Sequence, residues 1–125
     1  MKMLRPLVPL VLGTVLVAGC SGDDNNGGST VTPNSTITIG AGAFNQGAMA
    51  FSPPSDTVHV GDIVRMQNND ASTHNIQPSG SGAFPSWGSL PGNTGSNVTA
   101  TAAGTFGYHC IVNSHTMTGT LVVLP

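Results

Sequence analysis

The segment Thr105–Thr120 reads TFGYHCIVNSHTMTGT and holds the strongest structural and chemical signal in the chain. It places a thiol, an imidazole and a thioether, those of Cys110, His115 and Met117, within eight residues. The residues before Cys110 alternate as in a strand, and a second predicted strand, strongly apolar, begins at Gly119. The residues between these strands therefore form a loop whose side chains can converge on one point.

The chain from residue 36 onward shows short apolar stretches separated by clusters of Gly, Pro and Asn. No stretch keeps a helical period, whereas several alternate as strands do. The other predicted strands are Thr36–Ile39, Thr57–Val60, Ile63–Gln67 and Asn97–Thr101. We interpret residues 77–96 as a long connection across one end. Together these patterns predict an all-β sandwich in a single domain.

Residues 1–19 are predicted to be a secretory signal peptide. Lys2 and Arg5 precede the apolar run Leu7–Ala18, which is too short for a convincing membrane span. The run leads into Val-Ala-Gly and Cys20, a pattern that resembles the lipobox of bacterial lipoproteins. In that family the cysteine is lipidated and anchors the mature protein to a membrane. An ordinary signal peptide with an incidental cysteine is the alternative.

Residues 20–35 are predicted to be the lipidated N-terminus and a flexible linker, because they lack apolar periodicity and are rich in Gly, Ser and Asn. Residues 36–125 are long enough for one small core. Without the signal peptide, Arg65 is the single cation left against five aspartates. That balance argues against nucleic acid or any other polyanion as a partner.

Soft sulfur donors beside an imidazole suit copper better than the hard divalent ions. Two cysteines in an exported chain ordinarily suggest a disulfide, but Cys20 is assigned to the anchor, which leaves Cys110 as a single thiol. Ligation to a metal protects such a thiol from oxidation. A second imidazole, His74, follows a predicted strand, where two loops can meet. The alternative is that Cys110 is a small buried hydrophobe in a metal-free adhesion domain.

These features, in this order, resemble the cupredoxins, the family of plastocyanin, amicyanin, pseudoazurin and azurin. The resemblance rests on a Val-Gly-Asp turn between two strands, on the dipeptide His74-Asn75, on Gly104–Cys110 and on Met117–Thr120. It covers residues 36–125. It implies a Greek-key β-sandwich that holds one type 1, or blue, copper ion.

The resemblance also implies the ligand set. His74, Cys110 and His115 form the trigonal plane and Met117 the long axial bond, with a weak backbone oxygen or an open position as the alternative to Met117. Asn75 matches a position whose side chain ties the two ligand loops together. His115 follows the cysteine by five residues, as in azurin-like members and unlike the spacing of three in plastocyanin-like members, and Met117 follows two residues later.

The implied function is electron transfer and not catalysis, since this ligand set leaves no equatorial position for a substrate. We expect an exported monomer that is lipid-anchored through Cys20 on the periplasmic side of a bacterial membrane. Ser21 after that cysteine favours the outer membrane where a cell has two. Redox proteins are the expected partners, at a mostly uncharged face centred on His115. A copper-delivery lipoprotein without an electron-transfer role is the alternative.

Overall fold

The computed structural model describes residues 30–125, which form two packed β-sheets. The predicted signal peptide, Cys20 and most of the predicted linker lie outside the described residues. The strands in the described part are β1 Ser35–Ile39, β2 Phe51–Ser52, β3 Ser55–His59, β4 Ile63–Asn68, β5 His74–Pro78, β6 Gly88–Leu90, β7 Gly95–Thr99, β8 Gly104–Cys110 and β9 Thr118–Leu124. Two single-turn 3-10 helices, Ala43–Asn45 and Gly47–Met49, lie between β1 and β2. None of the helices in this part of the chain is long and apolar enough to cross a membrane.

One sheet has the strand order β2-β1-β4-β7 and the other the order β3-β9-β8-β5-β6. β1 runs parallel to β4 and β3 parallel to β9, while the other neighbours are antiparallel. The all-β sandwich predicted from the sequence is therefore confirmed. The long connection predicted over residues 77–96 is wrong in part, because it contains the end of β5, all of β6 and the start of β7. β6 has only three residues, too few to show an alternating pattern.

Alternate side chains of the facing strands fill the space between the sheets, as the period of two requires. The fully buried apolar side chains include Ile37, Ile39, Val64, Met66, Ile76, Tyr108 and Leu121. Trp87 directly precedes β6 and is buried in the core. Its indole N–H donates to the carbonyl of Val64 at 3.1 Å, and its ring packs edge-on against that of Tyr108, with 5.1 Å between ring centroids. A buried indole with its N–H satisfied stabilises the core.

The two ends of the sandwich differ. At one end, which we call the ligand end, β4 and β8 finish and β5 and β9 begin. At the opposite end the chain enters β1, where the backbone N–H of Asn34 donates to the carbonyl of Ile63 and the Ile63 N–H donates to Oδ1 of Asn34, both at 2.8 Å. The regular pairing therefore begins one residue before the predicted domain start, at Ser35.

Candidate metal centre

Three potential metal ligands converge at the ligand end. His74 is the first residue of β5, Cys110 the last of β8, and His115 lies in the connection to β9. Sγ of Cys110 lies 3.4 Å from Nδ1 of His115 and 3.9 Å from Nδ1 of His74, and the two Nδ1 atoms are 3.2 Å apart. Metal–donor bonds of roughly 2.0–2.3 Å place three trigonal donors roughly 3.5 Å from one another. The spacing and the donor set, two nitrogens and one sulfur, therefore fit one copper ion.

The sulfur of Cys110 is buried, and no disulfide engages it within the described residues. Its Sγ accepts the backbone N–H of Asn75 at 3.4 Å, and the carbonyl of Asn75 accepts the N–H of Ile111 at 2.9 Å. The Asn75 side chain instead accepts from the amide of Gln77 at 2.8 Å. The backbone of Asn75, not its side chain, thus joins β5 to the segment that follows the cysteine.

His115 belongs to the second ligand loop, residues 111–117. Its backbone N–H donates to the carbonyl of Val112 at 3.1 Å, which closes a turn, and Ser114 in this turn has a positive φ of 68°. This turn shortens the path from Cys110 to His115. It explains how an imidazole five residues after the cysteine reaches the same point. The ring of Phe44 lies beside the imidazole, tilted by 41°, with 5.9 Å between ring centroids.

Met117 ends the second ligand loop and is buried, with 1% of its surface exposed. Its carbonyl accepts the backbone N–H of Cys110 at 3.2 Å, so the two residues lie side by side where β8 and β9 meet. This position is compatible with a ligand beside the thiolate. The assignment of the Met117 thioether as the axial ligand stays a prediction.

His74 follows the first ligand loop, residues 69–73, and is fully buried. Its Nε2 lies 3.0 Å from Oδ2 of Asp70, a contact that leaves Nδ1 to face the other two ligands. Asp70 was not singled out from the sequence. The available signal was an aspartate four residues before a predicted ligand, in a segment that otherwise reads as a turn.

The protonation states of Asp70 and His115 favour metal binding at neutral pH. The hydrogen bond with His74 is the largest cause that lowers the pKa of Asp70, and it outweighs the opposing effect of burial. At His115 burial acts in the other direction: it is the largest cause that lowers the pKa of this residue, and the neighbouring His74 lowers it further by a smaller amount. Asp70 is therefore an anion and His115 a neutral imidazole near pH 7, the state in which a ring nitrogen can bind a metal.

The remaining histidines of the described chain lie elsewhere. His59 is exposed and lies 3.9 Å from Asp62, and His109 contacts the hydroxyl of Ser79 at 3.1 Å. Within residues 30–125, His74, Cys110 and His115 are the one group of three or more His, Cys, Asp or Glu residues close enough to hold a metal ion.

No protein-family model matches the chain, and the curated proteins include no match. Solved structures do match. A purple cupredoxin from Nitrosopumilus maritimus is 22% identical with a TM-score of 0.62, over 72% of this chain and 99% of that one. An amicyanin mutant with Cu(I) is 26% identical with a TM-score of 0.53, over 71% and 80%. An oxidised plastocyanin from Dryopteris crassirhizoma is 23% identical with a TM-score of 0.55, over 71% and 99%.

Proposed function

We propose that this chain, which has the cupredoxin fold, carries single electrons on one copper ion outside the cytoplasmic membrane. The proposal rests on one observation, the convergence of a thiol and two imidazoles from the ends of two strands and one loop, with donor atoms 3.2–3.9 Å apart. His74, Cys110 and His115 would hold the ion, and the buried Met117 would supply its thioether as a fourth ligand. Bound copper supplies a one-electron couple at this site.

The chain's own contribution is to keep the donor atoms in one arrangement. His74 is fully buried and the Cys110 sulfur is fixed by a backbone N–H, so neither ligand can move far when the charge at the site changes. A site that changes little on electron gain or loss exchanges electrons fast. With His74, Cys110 and His115 all bound to it, the ion would keep no position within that set open for a substrate, which supports a carrier over an enzyme.

A redox protein is the proposed partner, and the second ligand loop is the proposed contact face. Phe44 and Ile111 are 42% and 51% exposed near the half-buried His115. Neither residues 40–50 nor residues 111–117 include an Asp, Glu, Lys or Arg. A partner that docks on this uncharged face should show an electron-transfer rate that depends only weakly on ionic strength, and a steep dependence would contradict this face.

We also propose that the protein is an exported monomer attached to a membrane through lipidated Cys20, on the outer membrane in a cell that has two. The support is in the sequence, in the apolar run that ends at this cysteine and in Ser21 after it. Metabolic labelling with a fatty acid tests the anchor. Label should enter the wild-type protein and be absent from Cys20→Ser.

Absorption spectroscopy and voltammetry of the purified, copper-loaded protein test the electron-transfer role. We expect an intense visible band from the thiolate–copper bond and a reversible one-electron wave, both lost in Cys110→Ser. A colourless protein that binds only Cu(I), without a reversible wave, would instead favour copper delivery. Metal content that does not change in Cys110→Ser would favour a metal-free adhesion domain.

The axial position is tested with Met117→Leu, which keeps the buried volume but removes the thioether. Met66→Leu, at another fully buried methionine in β4, is the matched control. If Met117 is the axial ligand, only Met117→Leu shifts the reduction potential and the visible spectrum. Equal spectra and potentials for the two variants would leave the axial position to another group.

A further inference from the structure

Asp70 lies against His74 as a carboxylate whose two oxygens are both engaged. Oδ2 is 3.0 Å from Nε2 of His74, while Oδ1 accepts the backbone N–H groups of Ala71 at 2.8 Å and Gly42 at 3.4 Å. Asp70 is 6% exposed and His74 is fully buried. The contact between them is therefore shielded from water. Hydrogen bonds in such a buried environment are electrostatically stronger than in water.

The first ligand loop, which contains Asp70, is held in place by Asn68. The Asn68 amide group donates to the carbonyls of Ser72, Leu90 and Pro91 at 2.8, 2.9 and 3.2 Å, and Oδ1 of Asn68 accepts the N–H of Asp70 at 2.9 Å. Asn68 is itself fully buried. Because the loop is fixed through a buried side chain, the Asp70 carboxylate has a defined position before any metal binds.

An ionised carboxylate only accepts hydrogen bonds, so Nε2 of a neutral His74 must carry the ring proton. Nδ1 then has a free lone pair directed at Cys110 and His115. We propose that Asp70 is a positioning residue that fixes His74 in the tautomer able to bind copper. The identity of the ion rests on the proposed function, whereas the tautomer does not. A carboxylate behind a ligand histidine also increases the basicity of the ligand and orients its ring.

The variant Asp70→Asn turns this reasoning into an experiment, because the two N–H groups of Ala71 and Gly42 decide how the new amide sits. Both donate to Oδ1, so the asparagine oxygen must stay there and its NH2 group must face His74. Nε2 of His74 then has to accept, and the proton moves to Nδ1. The loop keeps its backbone contacts, but the nitrogen that faces the metal site is blocked.

The variant Asp70→Ala separates this role from a purely structural one. It removes the acceptor of the Ala71 and Gly42 N–H groups, so it should lower stability more than Asp70→Asn does. It leaves the His74 tautomer free, so it should lower copper affinity less. The two variants thus reverse their order between stability and affinity. A role limited to loop stability predicts that Asp70→Ala is the worse variant in both measurements.

Three measurements on the whole protein test the proposal: Cu(I) affinity by competition with a cuprous chelator, urea unfolding, and nitrogen-15 NMR of the histidine rings in metal-free protein. We expect Asp70→Asn to lose about 10–100-fold in affinity and to show His74 protonated on Nδ1. Asp62→Asn, which removes a carboxylate beside the exposed His59, is the matched control and should keep wild-type affinity.

Wild-type Cu(I) affinity in Asp70→Asn, or a His74 ring still protonated on Nε2 in that variant, would overturn the proposal. The NMR arm needs no metal, so it decides the role of Asp70 even if the wild-type protein shows no reversible wave. The absence of a reversible wave would contradict only the proposed electron-transfer function and not the role of Asp70.

Discussion

The loop that precedes His74 and the loop that contains His115 are held in different ways. The first ligand loop is held by buried side chains, since Asn68 contacts three carbonyls around it and Asp70 contacts His74. The second ligand loop is held by backbone, through the turn that closes at His115 and the Thr116 N–H donated to the Phe44 carbonyl at 2.9 Å. His74 is thus fully buried, whereas His115 is half-buried and keeps part of its surface exposed.

We expect the largest loss of stability when the Asn68 side chain, which holds the first ligand loop, is removed. Asn68→Ala leaves three carbonyls and the Asp70 N–H without their partner in a buried position, which should cost about 2–5 kcal/mol of unfolding free energy. The matched change in the second ligand loop is Asn113→Ala, at an exposed residue, and it should cost at most about 0.5 kcal/mol. Urea unfolding of metal-free protein measures both. Similar losses in the two variants would show that the loops are held alike.

Gly92 offers a second test, because the chain passes very close to the first ligand loop there. A Cβ at this position would overlap the Ala71 carbonyl, so Gly92→Ala must push the loop and should cost about 1–3 kcal/mol. Gly40→Ala is the control, since its Cβ would have no atom within 4 Å. The unfolding midpoint and the Cu(I) affinity should both fall in Gly92→Ala only. Unchanged affinity in that variant would mean that His74 does not depend on the loop position.

In the metal-free protein, acid should reduce the contributions of the two loops to folding stability, and it should do so over a different pH range for each loop. The pKa of His115 lies below its ordinary value of 6.5, mainly through burial, so the unfolded chain binds the proton more readily. The neutral His115 therefore makes its full contribution to stability above pH 6.5, and this contribution is lost as the pH falls. The pKa of Asp70 lies below 3.8, mainly through its bond with His74, so its contribution is complete above that pH and is lost only in stronger acid.

Urea midpoints measured between pH 7 and 5 should therefore decline in the wild-type protein and decline less in His115→Gln. Asp70 stays ionised over this range and should add nothing to the decline. An equal decline in His115→Gln would place the acid-sensitive group outside the second ligand loop.

The smallest expected effect concerns the turn before His115. Ser114 has a φ of 68°, a conformation that glycine adopts without strain and that β-branched residues disfavour. Ser114→Gly should raise the unfolding free energy by about 0.5–1 kcal/mol, and Ser114→Val should lower it. Thermal unfolding of the metal-free protein compares the two. A gain in stability from valine would contradict the turn conformation.

The strands that alternate clearly were predictable, whereas β5 and the short strands β2 and β6 were not. Ile37 and Ile39 on β1, or Val64 and Met66 on β4, repeat at every second residue and are all fully buried. β6 has three residues and depends on pairing with β5, for which the local sequence contains no signal. Pairing between segments that are distant in sequence depends on the whole core and not on local periodicity.

The residues around the metal centre were predictable to a different degree. Cys110, His115 and His74 have side chains whose chemistry identifies them, and the structure brings all three together. Asp70 and Asn68 could not be recognised, because aspartate and asparagine beside a strand end usually indicate a turn. Their role depends on which atoms the folded chain places within hydrogen-bonding distance, and this information is not local.

The entry of the chain at the end opposite the ligands gives the domain a front and a back. β1 has five residues, and at about 3.3 Å per residue it separates Ser35 from the ligand end by roughly 13–17 Å. A molecule that contacts the half-buried His115 therefore meets the end of the sandwich that lies away from the start of β1. A label or surface attachment placed at Ser35 would sit at the opposite end and leave the ligand end uncovered.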